Sequence, residues 1–204
     1  AVDVSALRGA VSGYVVDSPA SARAALEPLM AAYDFKAVER DGIVRFLHND
    51  DAPHEIGLDA LTAQSTGRAY AHRDTGEAPI EARVRFIDAA RDYLIAGVSA
   101  RRLDRAEGGV ATLDAPLVLE ASAAEILAER LLAERRAAAE TLNIGVGPGA
   151  FAFEPGDRVT FAGGDDVFEI VRIEDAEARD LELHRVRRSA APMLGGVDPS
   201  APQP

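Results

Sequence analysis

The chain predicts an α+β protein in which two small antiparallel β-sheet or β-barrel units are connected by a long helix. Three observations carry that expectation. The stretch from Ser122 to Leu142 is helical in composition and leads into Phe151-Ala-Phe-Glu-Pro-Gly-Asp-Arg-Val-Thr-Phe161, where a Pro-Gly turn opens a strand. Phe35 to Leu47 has the pattern of a β-hairpin, and Ile80 to Phe86 alternates strictly between apolar and charged residues. Residues 1–120 then form an N-terminal subdomain of helix, hairpin and strands. Residues 121–188 hold the long helix and a small C-terminal β-barrel, and residues 189–204 have linker or disordered-tail composition.

Each element has its own reason. Tyr14-Val-Val16 is β-prone and is closed by Asp17-Ser18-Pro19. Serine followed by proline starts a helix, because the hydroxyl accepts an orphan N–H and proline has none to lose. Leu26, Leu29, Met30 and Tyr33 recur at helical spacing, which predicts a helix from about Pro19 to Tyr33. Pro28 is expected to bend or restart it. Phe35–Arg40 and Ile43–Leu47 flank Asp41-Gly42, two residues that tolerate the positive φ of a tight hairpin turn.

From His48 to Gly76 the pattern dissolves into polar sequence, relieved by Ile56, Leu58 and Leu61. Ile80, Ala82, Val84 and Phe86 then face one way and Glu81, Arg83 and Arg85 the other, as in a half-buried antiparallel strand. Asp88 to Tyr93 reads as a turn or short helix and Ala96 to Arg101 as a further strand. Glu107-Gly-Gly109 breaks the chain before Val110–Asp114 and Pro116–Leu119.

In the long helix, Ser122 and Glu125 fit a capping box. Leu127, Leu131, Ala138 and Leu142 share a face, while Arg130 with Glu134 and Arg136 with Glu140 sit four apart on the side assigned to solvent. Arg before Glu is the weaker order, so each pair adds only about a few tenths of a kcal/mol. Asp157–Phe161, Val167–Glu174 and Leu181–Arg187 read as the last three strands, joined by Gly163-Gly-Asp-Asp166 and by Asp175–Asp180.

Bulk properties narrow the function. At 204 residues and 48% apolar content there is material for one domain or two small ones. Aromatics are 5% and tryptophan is absent, so the core rests on Ala, Val, Leu and Ile. A net charge of −12 disfavours phosphate binding and repels DNA. With no cysteine there is no disulfide, thiolate nucleophile or zinc–cysteine site. No apolar run reaches the roughly 20 residues of a membrane-spanning helix, and no leader pattern marks secretion. The start at Ala1 and the Gly/Pro-rich end suggest a piece of a longer polypeptide with flanking domains.

Several clusters are candidate sites, and none is assigned a catalytic, cofactor-binding or metal role. His48-Asn-Asp-Asp-Ala-Pro-His54-Glu55 gathers imidazoles and carboxylates suited to a divalent ion. Pro53 and the lack of a His-Glu-x-x-His helix favour a solvated loop. Gly145-Val-Gly-Pro-Gly149 has its helix before the glycines and its strand after, the reverse of a phosphate cradle, so helix C-cap and turn is the better account. Asp88, Asp92 and Tyr93 suit turn and capping duties as well as acid–base work. Asp157 reads as a turn residue bonding nearby backbone donors. Arg185, Arg187 and Arg188 read as edge-strand protection. No Gly-x-Ser-x-Gly elbow is present.

A run of phrases lines up in order: Gly13-Tyr-Val-Val-Asp17, Ser21-Ala-Arg-Ala-Ala-Leu-Glu-Pro-Leu29, Ala37-Val-Glu-Arg-Asp-Gly42, Val84-Arg-Phe-Ile-Asp-Ala-Ala-Arg-Asp-Tyr93, Leu113-Asp-Ala-Pro-Leu-Val-Leu119, Ala128-Glu-Arg-Leu-Leu132 and Glu154-Pro-Gly-Asp-Arg-Val159. From about Gly13 to Arg188 the chain resembles the phage-tail domain of the large tail-tip (baseplate) proteins of gene transfer agents and long-tailed bacteriophages. It is also similar to phage baseplate hub proteins. That resemblance implies a hub-like, non-enzymatic structural protein of the virion tail, assembled in the bacterial cytoplasm. It further implies a homotrimeric ring joining the tail tube to host-facing proteins, other tail and baseplate proteins as partners, and DNA passing without specific binding.

The resemblance carries over no catalytic residues and no cofactor. An acidic face lining the channel is an expectation motivated by the −12 charge. Two competing functions are a carbohydrate- or receptor-binding module at the tail tip, which needs exposed aromatic platforms, and a cell-wall hydrolase using carboxylates of His48–Glu55 or Asp88–Asp92.

Overall fold

The computed structural model describes residues 1–17, 19–40, 42–48, 52–62, 78–103, 107–147, 152–176 and 178–187. It is a mixed α+β structure, and it divides into two compact units that are discontinuous in sequence. One comprises residues 1–49, 79–132 and 190–204, the other residues 50–78 and 133–189. The sequence reading instead expects contiguous blocks of 1–120 and 121–188.

The first unit holds two three-stranded sheets. In one, β1 (Val2–Asp3) pairs in parallel with β3 (Ile43–His48), which pairs antiparallel with β2 (Phe35–Arg40). Arg40 stands opposite Ile43, the two-residue hairpin expected around Gly42, whose φ of 70° is the left-handed value the turn requires. Helix α1 (Ala22–Tyr33) precedes this hairpin. It starts later than predicted: Ser21, not Ser18, is the cap, its hydroxyl accepting the Ala24 N–H at 3.2 Å. The helix runs through Pro28 to an αL residue, Asp34.

The second sheet has order β7-β6-β8, from β6 (Glu81–Asp88), β7 (Leu94–Arg101) and β8 (Val110–Leu119). The alternation of β6 is realised: Ala82, Val84 and Phe86 are buried. The expectation of a purely antiparallel setting fails, because β6 pairs antiparallel with β7 but parallel with β8. Val110 stands beside Glu81, the end where β6 itself begins, so the two strands run the same way. Val110–Asp114 and Pro116–Leu119 are one strand, not two. The register slips between Arg85 and Ile87, so Pro116 lies in a bulge, where its missing N–H removes no ladder bond.

Helix α2 (Ala121–Ala137) begins one residue before Ser122, so Ser122 lies inside the first turn and the expected capping box is not the N-terminus. The helix also ends at Ala137 and does not reach Leu142. Leu127 and Leu131 are buried as expected, within a cluster that includes Val84, Phe86, Leu117, Ala124 and Tyr33. Arg130 is the opposite of expectation: it is 4% exposed, not on a solvated face.

In the second unit a six-stranded sheet has order β4-β10-β11-β12-β9-β5, formed by His54–Ile56, Arg158–Phe161, Val167–Asp175, Arg179–Val186, Thr141–Val146 and Leu61–Thr62 respectively. Only the β4–β10 pair is parallel. The predicted last three strands are all present. Unpredicted are β4 and β5, in the supposedly patternless stretch, and β9, which takes Leu142 out of the helix.

The two edges of this sheet, β4 and β5, are separated by only the five residue steps from Ile56 to Leu61. Five extended residues reach at most about 17 Å. The outer strands of a flat six-stranded sheet stand roughly 24 Å apart. The sheet must therefore curl, and its core (Ile56, Ile144, Val146, Val159, Ile170, Leu181 and Leu183) lies inside the curl. Among the described residues no ladder joins β4 to β5, so it is an open, curled sheet and not the closed barrel expected.

Candidate functional site

The residues singled out in the sequence are used one by one for structure. His48 is buried at the end of β3, in the first unit. Its Nε2 accepts the Arg8 backbone N–H at 3.2 Å, its Nδ1 lies 3.3 Å from the Asp34 carbonyl, and its ring meets Phe35 edge-on. His54 belongs to β4 of the second unit, where its ring packs against Phe153 at 5.9 Å. The two imidazoles fall in different units, and Asn49, Asp50 and Asp51 lie outside the described residues. Among the described residues, no three His, Asp or Glu side chains are grouped to hold a metal ion.

Asp88 is buried, and its Oδ1 accepts the Ala90 N–H at 2.9 Å, capping the 3₁₀ turn Ala89–Arg91. Asp92 and Tyr93 follow with φ of 52° and 59° and bring the chain round into β7, the turn duty expected of them. Gly145 is a ladder residue of β9, opposite Asp180, and the Gly147 N–H donates to Ala60. The C-cap account of this segment is thus corrected: the helix has already ended at Ala137. Pro148 and Gly149 lie outside the described residues.

Asp157 behaves as predicted. Its Oδ2 accepts the Glu154 N–H at 2.9 Å across a turn in which Gly156 has φ 94° and donates to the Ile170 carbonyl. Arg185 does not guard an edge, because β12 is flanked by β11 and β9. Its guanidinium bridges Glu140 at 2.8 Å and Asp166 at 2.5 Å. The Glu140 hydrogen bond is the main reason its pKa is raised. Glu140 thus pairs across to Arg185 of β12. Arg187 is exposed and Arg188 is outside the described residues.

Sequence reasoning missed the role of Arg130. Its guanidinium donates to the carbonyls of Ala31 and Ala32 (2.8 Å to the latter), the last turn of α1, where helix carbonyls lack intrahelical partners. Nothing in a four-residue charge spacing separates a buried clamp of this kind from a surface ion pair.

The surface bears on the binding-module alternative. Tyr14 donates its hydroxyl to the Ala25 carbonyl, and Tyr33 is buried, which raises its pKa. Tyr93 alone among the described aromatic residues is exposed, at 67%, and no flat aromatic platform forms around it. Exposed apolar residues adjoin at Tyr93, Leu94 and Ile95, at the start of the edge strand β7, and at Val15 and Val16. A groove of about 430 Å³ in the first unit is lined by Tyr14–Asp17, Pro28, Ile87, Ile95 and Pro116, among others. What the molecule offers is packing surface and strand edges, with no convergent reactive groups among the described residues.

Residues 21–173 match the model of the family described as "Putative phage tail protein". The chain belongs to that family. Its fold is shared with a chain from the virion of a native gene transfer agent particle, at 28% identity and a TM-score of 0.79, over 91% of this chain and 44% of that one. A tail protein from Neisseria meningitidis MC58 (18% identity, TM-score 0.60) aligns over 92% of this chain and 62% of its own. The 43 kDa tail protein of prophage MuSo2 from Shewanella oneidensis (12%, 0.51) aligns over 91% and 59%. These last two share the fold alone.

The chain therefore spans about half the length of the solved structures it matches. No curated protein sequence matches it significantly. Membership in a tail-protein family and likeness to a virion chain mark it as a structural tail component. No helix among the described residues is long and apolar enough to cross a membrane.

Proposed function

We propose that this chain is a hub component of a tail tip or baseplate of a phage or gene transfer agent. In that reading it packs as a homotrimer within a ring that joins the tail tube to host-facing proteins and lets DNA pass. It works by holding neighbours in place and makes or breaks no bond. The observation that carries this is the whole-chain likeness to a virion component of a gene transfer agent, at 28% identity. The net charge of −12 supports the second half, since an acidic wall gives DNA nothing to adhere to. The chain works as one part of a longer tail polypeptide or beside its flanking domains, and it reaches the virion after assembly in the bacterial cytoplasm.

Imaging of tails carrying an epitope tag on this chain tests the reading. Label at the tip, with tails that fail to adsorb or eject when the chain is deleted, is the expected result. Label along the tube or at the head end, or normal tips in its absence, would reject the hub role.

A further inference from the structure

The sheet edges of the first unit are protected unequally. β1 is two residues long, β2 carries Lys36 and Glu39, and the outer side of β8 is partly covered where Val15 donates to Pro116 and Val118 to Gly13, each at 2.9 Å. β7 has no such device. Its eight residues pair with β6 in unbroken register from Glu81–Arg101 to Asp88–Leu94. It contains no proline or bulge, and it carries no charge from Leu94 to Ala100. Leu94 and Ile95 are 63% and 69% exposed. Natural edge strands of this length are ordinarily blunted by charge, proline or cover.

The ladder also shows which backbone groups are free to pair. The Arg102 N–H donates to Ile80 at 2.9 Å, so in the antiparallel alternation the even-numbered residues of β7 bond β6. The N–H and C=O groups of Ile95, Gly97, Ser99 and Arg101 point away from it. Among the described residues, no strand lies on that side.

We propose that the outer edge of β7 docks a second copy of this chain, strand against antiparallel strand about a two-fold axis. Charge decides the occupant and the direction. Asp92 stands just before β7, Arg101 and Arg102 close it, and the run between is neutral. Aligned antiparallel with itself about Gly97, so that outward-bonding residues meet, the strand sets Ile95 opposite Ser99, Leu94 opposite Ala100 and Arg102 opposite Asp92 of the other copy, with Arg101 beside that aspartate. Parallel alignment stacks arginine on arginine, which is repulsive. Two chains of charge −12 repel over most of their surfaces, and this strand is where they can meet without like charges opposed. A two-fold contact closes on itself, so it is separate from the ring-closing contacts of a trimer and does not rest on the hub reading.

Light scattering on the purified chain over a range of concentrations tests this. The expected result is a mass rising to twice 21.6 kDa. Ile95→Lys, at a surface position, is expected to weaken dimerisation about tenfold or more by placing an ammonium on the edge. Ser99→Pro removes an outward N–H while sparing the β6 ladder, with circular dichroism melts confirming that both variants stay folded. Arg101→Glu is expected to weaken the dimer as well. A chain that stays monomeric throughout, or that binds only a different tail protein at this edge, overturns the proposal. So does a dimer indifferent to Ile95→Lys and Arg101→Glu.

Discussion

The two units bury their apolar residues by different means. In the first, a mixed sheet and two helices share one core, and a buried guanidinium, that of Arg130, reaches across from α2 to the end of α1. In the second, the core lies inside a single curled sheet, and the polar organisers sit at turns and on the surface: Asp157 across its own turn, and Arg185 between Glu140 and Asp166. Where a core is closed by separate elements, a buried polar clamp can hold them in register. Where one open sheet curls around its own core, backbone ladders perform that task and the polar groups shape turns. The first unit should therefore be sensitive to a polar deletion and the second to a backbone strain.

The largest expected effect is apolar. Phe86→Ala removes a fully buried ring from the centre of the first core and should cost about 3–5 kcal/mol in urea denaturation. Loss below about 1 kcal/mol would mean that the sheet–helix core is not the main source of stability there. Next comes the clamp. Arg130→Met leaves the Ala31 and Ala32 carbonyls without their donor and should cost about 2–4 kcal/mol. Arg130→Lys should recover only part of it, because an ammonium lacks the planar fork. Full recovery by lysine would reduce the clamp to charge alone.

The second unit is probed through Gly156. Its φ of 94° is unfavourable to any side chain, so Gly156→Ala should cost about 1–3 kcal/mol by thermal melting. Arg185→Gln should do less. Both of its ion pairs are partly solvated, and after screening such pairs are worth about 0–1 kcal/mol. If Arg185→Gln proved the more damaging of the two, the contrast between clamp and turn would collapse.

The same contrast explains what was legible in the sequence. Patterns that live within one segment are legible: the Asp41-Gly42 hairpin, the alternation of Ile80–Phe86, the turn function of Asp157 and the shared buried face of Leu127 and Leu131 in α2. Features set by distant partners are not. β4 and β5 are too short to show a period, and they exist as strands because β10 and β9 supply their hydrogen bonds. Leu142 continues the helical spacing of Leu127 and Leu131, yet pairing with Leu183 in β12 draws it into a strand. Arg130 fits a surface i,i+4 pair by spacing alone, whereas its burial goes with the carbonyls of α1, about a hundred residues earlier in the chain.

The smallest effect is electrostatic and lies on the outer face of β6. Arg83 Nε donates to Glu81 Oε1 at 2.5 Å, and this hydrogen bond is the main cause of a Glu81 pKa below the ordinary glutamate value. Asp3 is lowered likewise, chiefly by the Ser5 backbone N–H. A carboxylate with a depressed folded-state pKa adds stability above its unfolded value, near 4.3 for Glu and 3.9 for Asp, and that stability is lost as pH falls through the folded value. Stability should thus be flat from neutral pH to about 5 and then decline into the acid range. Arg83→Gln should flatten the Glu81 share of that decline, and carbon-detected NMR should show the Glu81 carboxyl titrating at higher pH than in the parent chain. An unchanged Glu81 titration would mean that the arginine contact is not what holds the proton off, and that the outer face of β6 contributes nothing to acid sensitivity.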